Sequence, residues 1–211
     1  MQWCIARANQ LNFNHKLCCR RPSLRIVVLR HGMPKIDSSV RVTAAEFGLW
    51  VKRYNVAGIR DECEPPQLAM TQVSQCAFVV CSNLPRSLES AKALGIESIG
   101  ICDESFREIE MPYATWHFPK VPLVIWLVFF RLMWALGYSE NAEPFKVAKE
   151  RARNCANRLA ELAATHGTVL FVGHGSLNWF IARHLKAMGW SGPKSSPRRY
   201  WEFGVYRYHA T

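Results

Sequence analysis

Acidic residues are scarce in this chain: 16 Asp and Glu stand against 27 Lys and Arg, a net charge of +11 over 211 residues. Such an imbalance favours anionic partners, whether phosphorylated metabolites, nucleic acid or anionic lipid. Nucleic acid is the weakest of these, because no zinc-finger spacing, no RNP-like motif and no long Lys/Arg block is present. The eight cysteines (Cys4, Cys18, Cys19, Cys63, Cys76, Cys81, Cys102 and Cys155) include no C-x-x-C pair, and several lie inside apolar runs. This argues against a disulfide framework or a zinc site and for buried free thiols in a reducing compartment, so a cytoplasmic protein without a metal is expected.

Residues 1–23 hold Arg7, Lys16, Arg20 and Arg21 but no acid, and they lack the apolar core and cleavage site of a secretory signal. Their charge would suit an organellar transit peptide, but serine is scarce. The expectation is a disordered extension, or a start codon assigned too far upstream. Internal repeats and low-complexity segments are missing too. Val121–Gly137, seventeen residues, is apolar but for Arg131. That length is the lower limit for a bilayer span, and Arg131 at mid-membrane would cost about 2.5–3.5 kcal/mol. A lone span is disfavoured, and membrane association is not the favoured reading. A helix apolar all round can also be buried in protein or at an interface; a lid packed on the domain is expected here.

The remaining pattern is that of one α/β domain large enough for a sizeable core. Leu24–Leu29, Phe78–Cys81, Ile99–Cys102 and Thr168–Val172 are short runs rich in β-branched or apolar residues, as strands buried on both faces require. Tyr200–Tyr208 alternates enough for a last, edge strand. Thr43 and Glu46 have capping-box spacing, opening a helix with Phe47, Trp50, Val51 and Tyr54 on its stripe and Gly58 past its end. Residues 61–76 read as loop with room for one short helix. Pro85 suits a first helical turn and Gly95 an end. Between Glu143 and Ala164, Phe145, Ala148, Ala152, Cys155, Leu159 and Leu162 step by three and four residues, the mark of an amphipathic helix. A further helix follows Gly175, with Leu177, Ile181, Leu185 and Met188 inward.

Two of the strands end alike. The first runs into Arg30-His31-Gly32 and a later one into Gly173-His174-Gly175. Parallel strands deliver such residues to the carboxyl edge of the sheet, where open α/β folds bind ligands. Arg30 there suits a phosphate through its planar fork; His31 is a candidate base, metal ligand or nucleophile. Arg86 falls on the first turn of a helix after a strand, where free N–H groups and the dipole already favour an anion. One such histidine is more often structural than catalytic, whereas two at matching positions with two arginines point to a site. Asp103, Glu104, Glu108 and Glu110 are candidate acids between which position alone does not choose.

With R-H-G at 30–32, S-N-L-P-R-S-L-E-S-A at 82–91, R-E-I at 107–109 and V-G-H-G at 172–175, the chain resembles the histidine phosphatase superfamily, the phosphoglycerate-mutase-like proteins. The resemblance spans roughly residues 24–208, with 1–23 and 111–140 outside it, so a domain from 24 to 211 carrying an apolar insertion at about 111–140 is expected. It implies a three-layer α/β/α sandwich with a mostly parallel central sheet. It further implies a metal-independent phosphatase acting on a small phosphorylated substrate, without a cofactor. His31 would be the nucleophile, Arg30, Arg86 and His174 the phosphoryl clamp, and Glu108 the proton donor to the leaving oxygen. Two stretches depart from the family's pattern. Met33-Pro34-Lys35-Ile36-Asp37 replaces a small hydroxyl residue and a following asparagine, which argues against mutase activity. Ile109-Glu110-Met111-Pro112-Tyr113 replaces a glycine-rich stretch after the acid, so Glu110 and Asp103 stay open beside Glu108. A mutase, or a non-catalytic phosphate-binding or membrane-associated member of the fold, are the alternatives.

Overall fold

The computed structural model describes residues 24–209; the N-terminal extension expected over 1–23 lies outside them. In chain order the elements are β1 (Leu24–Arg30), β2 (Arg41–Val42), α1 (Ala44–Val56), α2 (Gln67–Val73), β3 (Phe78–Cys81), α3 (Pro85–Ala93), β4 (Ile101–Cys102), β5 (Val121–Pro122), α4 (Leu123–Ala135), α5 (Phe145–His166), β6 (Thr168–Gly173), α6 (Gly175–Ala187) and β7 (Phe203–Tyr208). A single 3₁₀ turn, Glu104–Phe106, follows β4.

Five strands form the central sheet in the order β4-β3-β6-β1-β7. The first four are parallel, while β7 pairs antiparallel with β1 at the edge. Their side chains alternate between two apolar layers, as the pleat demands. Ile26, Val28, Val80, Val169 and Phe171 point to α5 and α6, joining Leu159, Ile181 and Leu185. Val27, Leu29, Cys81, Leu170 and Val172 point to the opposite side, joining Ala69, Val73, Ala91 and Leu94. The result is the expected α/β/α sandwich with a largely parallel sheet. The register is the one that places Arg30 beside Gly173 and Leu29 beside Val172, so both strand ends emerge side by side.

The local signals act as the sequence suggests. Thr43 Oγ1 accepts the Glu46 N–H while a Glu46 carboxylate oxygen accepts the Thr43 N–H, a closed capping box that starts α1. Pro85 occupies the first turn of α3. Gly167 ends α5 at φ +77°, a conformation that favours glycine. Met188 is the exception: α6 ends at Ala187, so Met188 caps the helix and is exposed instead of facing inward.

The apolar segment forms a helix of only 13 residues, and no helix among the described residues is long and apolar enough to cross a membrane. One face of α4 is buried: Leu123, Trp126 and Phe130 pack with Val42, Ala44, Phe47 and Val51 in a third apolar cluster. The Trp126 indole N–H donates to Val42 O at 2.8 Å, which satisfies its polar atom. The opposite face is not covered. Val124, Ile125, Val128, Phe129, Leu132 and Leu136 are exposed. One face of the segment is thus packed and the other bare, where the sequence predicted a lid packed on the domain.

Candidate active site

The strand ends bring Arg30, His31 and His174 together, and α3 adds Arg86 from the neighbouring β3 side. His31, Arg86 and His174 have no exposure at all. The rings of His31 and His174 lie 5.1 Å apart between centroids. Backbone demands hold them there. The His31 N–H donates to Gly173 O at 3.1 Å, and Asn178 ties both strand ends, its Nδ2 donating to Leu29 O and its Oδ1 accepting the His174 N–H. Gly32 N–H donates to Ser90 Oγ at 2.8 Å. A Cβ on Gly32 would meet the Trp201 ring at 2.4 Å, so a side chain is excluded by close approach.

His31 Nδ1 lies 2.7 Å from Gly32 O, a contact that requires a proton on Nδ1 and leaves the Nε2 lone pair free. Nε2 is buried and has no protein partner. Burial, with the Arg86 and Arg30 guanidinium groups adding to it, lowers the His31 pKa to about 3. The ring is therefore neutral at physiological pH. His174 Nε2 lies 2.6 Å from Ser82 Oγ, while its Nδ1 is buried without a partner. Burial holds its pKa well below the ordinary range, and His31 and the two arginines reinforce the effect.

Arg86 donates from one terminal nitrogen to Tyr54 O at 2.9 Å and stacks over the Tyr54 ring at 4.4 Å. Its Nε and other terminal nitrogen are buried and unpartnered. Arg30 stacks over Tyr200 at 4.4 Å and donates to Arg198 O, with its Nε unpartnered. Five buried nitrogens of this cluster therefore have no protein partner: the lone pair of His31 Nε2, and His174 Nδ1, Arg30 Nε and two nitrogens of Arg86 beside it. Buried polar groups are otherwise almost always paired. Unpartnered arginine and imidazole nitrogens gathered in this way suit a compact anion with several acceptor oxygens, as phosphate is.

The structure separates the three candidate acids. Asp103 accepts from Arg158 at 2.7 Å and from the Ser105 N–H at 2.8 Å. Those contacts hold its pKa down at about 2, which works against a protonated Asp103. Glu110 is exposed and accepts the Glu143 N–H at 2.6 Å. Glu108 accepts the N–H groups of Ser176 at 3.1 Å and Leu177 at 3.0 Å, at the first turn of α6, beside His174. Of the three, Glu108 is the one attached to the element that carries His174.

A cavity of about 990 Å³ opens above this cluster, bordered by Arg30, Tyr54, Glu108, Leu127, Arg131 and Tyr200 among others. His31, Arg86 and His174 do not border it; they lie beneath Arg30, Tyr54 and Tyr200, and the Tyr200 ring is 5.7 Å from that of His31. Tyr54, Tyr200 and Ser82 are the site residues that sequence reasoning missed. Tyr54 carried a signal only as part of the α1 stripe, Ser82 only as the first residue of the S-N-L-P-R motif. Tyr200, remote in sequence, offered none.

Residues 67–209 match the model of the histidine phosphatase superfamily, branch 1. The chain belongs to that superfamily. Histidine-phosphatase-type enzymes act on small phosphorylated substrates by hydrolysis or transfer, which agrees with the unpartnered nitrogens just described. The matched residues contain Arg86, Glu108 and His174. They run through 111–140, which the sequence resemblance had set aside, and begin after Arg30 and His31. Solved structures extend the likeness in fold. An open reading frame product of Mycobacterium tuberculosis is 16% identical, with 89% of this chain and 95% of that chain covered at a TM-score of 0.59. Phosphoglycerate mutase from Bacillus anthracis is 16% identical over 89% and 88%, TM-score 0.58. YhfR of Bacillus stearothermophilus is 20% identical over 86% and 89%, TM-score 0.57. No curated protein matches the sequence.

Proposed function

We propose that this member of the superfamily is a metal-independent phosphatase that hydrolyses a phosphate monoester through a phosphohistidine on His31 Nε2. The observation that carries the reading is the unpartnered Nε2 of a neutral, fully buried His31, held with its Nδ1 proton on Gly32 O and flanked by arginine nitrogens that also lack partners. A nucleophile needs its lone pair free, and phosphoryl transfer needs positioning and charge stabilisation more than covalent help.

In this reading Arg30, Arg86 and His174 hold the phosphoryl oxygens, the two arginines supplying positive charge and the neutral His174 a hydrogen bond. Ser82 donates its hydroxyl hydrogen to His174 Nε2, which leaves the Nδ1 proton for a phosphoryl oxygen. Substrate enters past Arg30 and Tyr200. As it does so, Glu108 takes up a proton from solvent, exchanges the α6 N–H groups for the leaving oxygen and gives that proton to it. The phosphoryl group passes from that oxygen to Nε2; water, giving a proton to the Glu108 carboxylate, then displaces it from the histidine and phosphate is released. The catalytic domain covers 24–211, with 111–140 as an insertion that walls the cavity. Met33-Pro34-Lys35 after the R-H-G favours release over transfer back to the substrate.

Trapping tests the first half: quenching with labelled substrate should give an acid-labile, alkali-stable phosphoprotein that His31→Ala cannot form. Label on another residue type overturns the assignment. Glu108→Gln tests the second half, since loss of a proton donor harms substrates with poor leaving groups and spares nitrophenyl phosphate. Equal loss on both would leave Glu108 a purely structural role. Phosphate moved between positions of one substrate, without release, would make the protein a mutase.

A further inference from the structure

The exposed face of α4 belongs to no part of the reaction, yet it adjoins the cavity. Ile125, Val128, Phe129, Leu132 and Leu136 follow helical spacing along its outer side, with exposures from 36% at Phe129 to 82% at Leu136. Trp116 extends this surface, half exposed, with its ring 6.2 Å from that of Phe129, and Phe118 two residues on is 84% exposed. A contiguous apolar surface of this kind marks a docking site.

Charge says what docks there. From Met111 to Ser139 the chain has no acidic residue. The rim at the start of α4 is basic: Lys120 directly precedes β5, and Arg41 on the paired strand β2 donates to Lys120 O. Lys52 lies over the Tyr113 ring in the same cluster. Glu46 approaches Lys120 at 3.7 Å, and among the described residues no carboxylate pairs with the other two cations. Apolar side chains with tryptophan among them and a rim of cations are what a helix lying in an anionic lipid interface presents. A second copy of a chain with net charge +11 would instead meet like charge.

Val124 links the surface to the site, for it is 59% exposed and also borders the cavity, next to Leu123 and Leu127 and on the way to Arg131. Arg131 in turn reaches inward, its terminal nitrogens donating to Glu110 O and Ile109 O. A molecule running from the α4 surface to the arginines would thus meet apolar wall first and cations last. We propose that α4 docks the protein on an anionic membrane surface, and that the substrate is a phosphate monoester whose other half is an acyl, alkyl or isoprenoid chain held in that membrane. The substrate half of this rests on the phosphatase reading above; the docking half does not.

The test uses the full chain and the double variant Ile125→Glu/Leu132→Glu, whose positions are exposed and do not border the cavity. Phosphatidylcholine vesicles with phosphatidylserine should carry the wild type upward in flotation, those without it much less, and neither should carry the variant. On a long-chain alkyl monophosphate in the vesicles, the variant should lose roughly tenfold or more in rate, while nitrophenyl phosphate in solution is hydrolysed equally by both. Absence of flotation with either vesicle overturns the proposal, as does a wild-type dimer that the variant dissociates, which would assign the face to a second copy. Flotation together with indifference to the chained phosphate overturns the substrate half. A protein that floats but hydrolyses no phosphate ester at all overturns the phosphatase reading and leaves the docking surface standing.

Discussion

At the carboxyl edge of β1 and β6 the protein buries cations and imidazoles, whereas along the outer side of α4 it leaves Ile, Val, Phe and Leu in water. The two regions invert the ordinary rule of burial in opposite directions. Between them the sheet is conventional, with each strand's apolar side chains shared by helices on both faces. Sequences are locally consistent with their folds except where function intervenes, so paired violations of opposite kind are informative. The first leaves polar nitrogens unpartnered around two histidines; the second leaves apolar side chains bare. Only the first is enclosed, and only its cost falls on folding stability.

The sharpest way to break the comparison is to remove the buried charge. Arg86 is fully buried with two unpartnered nitrogens, and burial works against its charged form. Arg86→Met keeps the volume and removes that penalty. Turnover on nitrophenyl phosphate should fall by about three orders of magnitude or more, since transition-state charge is then left uncompensated. Stability in urea should stay level or rise by about 1–4 kcal/mol. Activity without Arg86, or a strongly destabilised variant, would mean that the arginine is structural.

Next in size is a pair on one helix, Phe130 and Leu132. Phe130 is wholly buried and stacks on Phe47 at 5.4 Å, while Leu132 is 62% exposed. Phe130→Ala should cost about 3–5 kcal/mol through the lost contact and the cavity left behind. Leu132→Ala should change stability by about 0.5 kcal/mol or less, as exposed substitutions do. Chemical denaturation of both variants checks the split. If Leu132→Ala costs as much as Phe130→Ala, the outer face of α4 is covered in solution by something that belongs to the fold.

The sequence made one of these regions far more readable than the other. Arg30, His31, Arg86 and His174 could be singled out as candidates, and the fold gathers them, because strand ends and a helix start are local events, each signalled within a few residues. The sheet followed for the same reason. The partners of Asp103, Glu108 and Glu110 were not legible, because they are Arg158, the first turn of α6 and Glu143, all distant in sequence. Tyr200 was missed on the same ground: its place over Arg30 is set by the pairing of β7 with β1. The apolar segment was visible as such, but uniform composition gives no phase. Nothing in it told which face would meet α1 and which would stay bare.

The smallest expected effect concerns pH and separates the two regions by mechanism. The fold holds His31 neutral down to about pH 3 and keeps His174 neutral well below its usual range, because both are buried beside arginines. In the unfolded chain each takes up a proton near pH 6.5. As pH falls through that value the unfolded state gains protons that the native state refuses, so stability falls with falling pH, by ~1.4 kcal/mol per unit for each such histidine. For His31 the window closes at about pH 3, where the native ring also protonates. Asp103, held at about 2 by Arg158, adds its own loss only below its ordinary carboxylate range, so the interval between about pH 6 and 4.5 belongs to the histidines. Urea unfolding of the wild type at several pH values in that interval should therefore show a steep slope, and His31→Gln should reduce it by ~1.4 kcal/mol per unit. Leu132→Ala should leave the slope untouched, since nothing that titrates lies in the exposed apolar row of α4. An unchanged slope in His31→Gln would mean that the buried imidazole is charged in the native protein, and its lone pair would then be unavailable for attack on phosphorus.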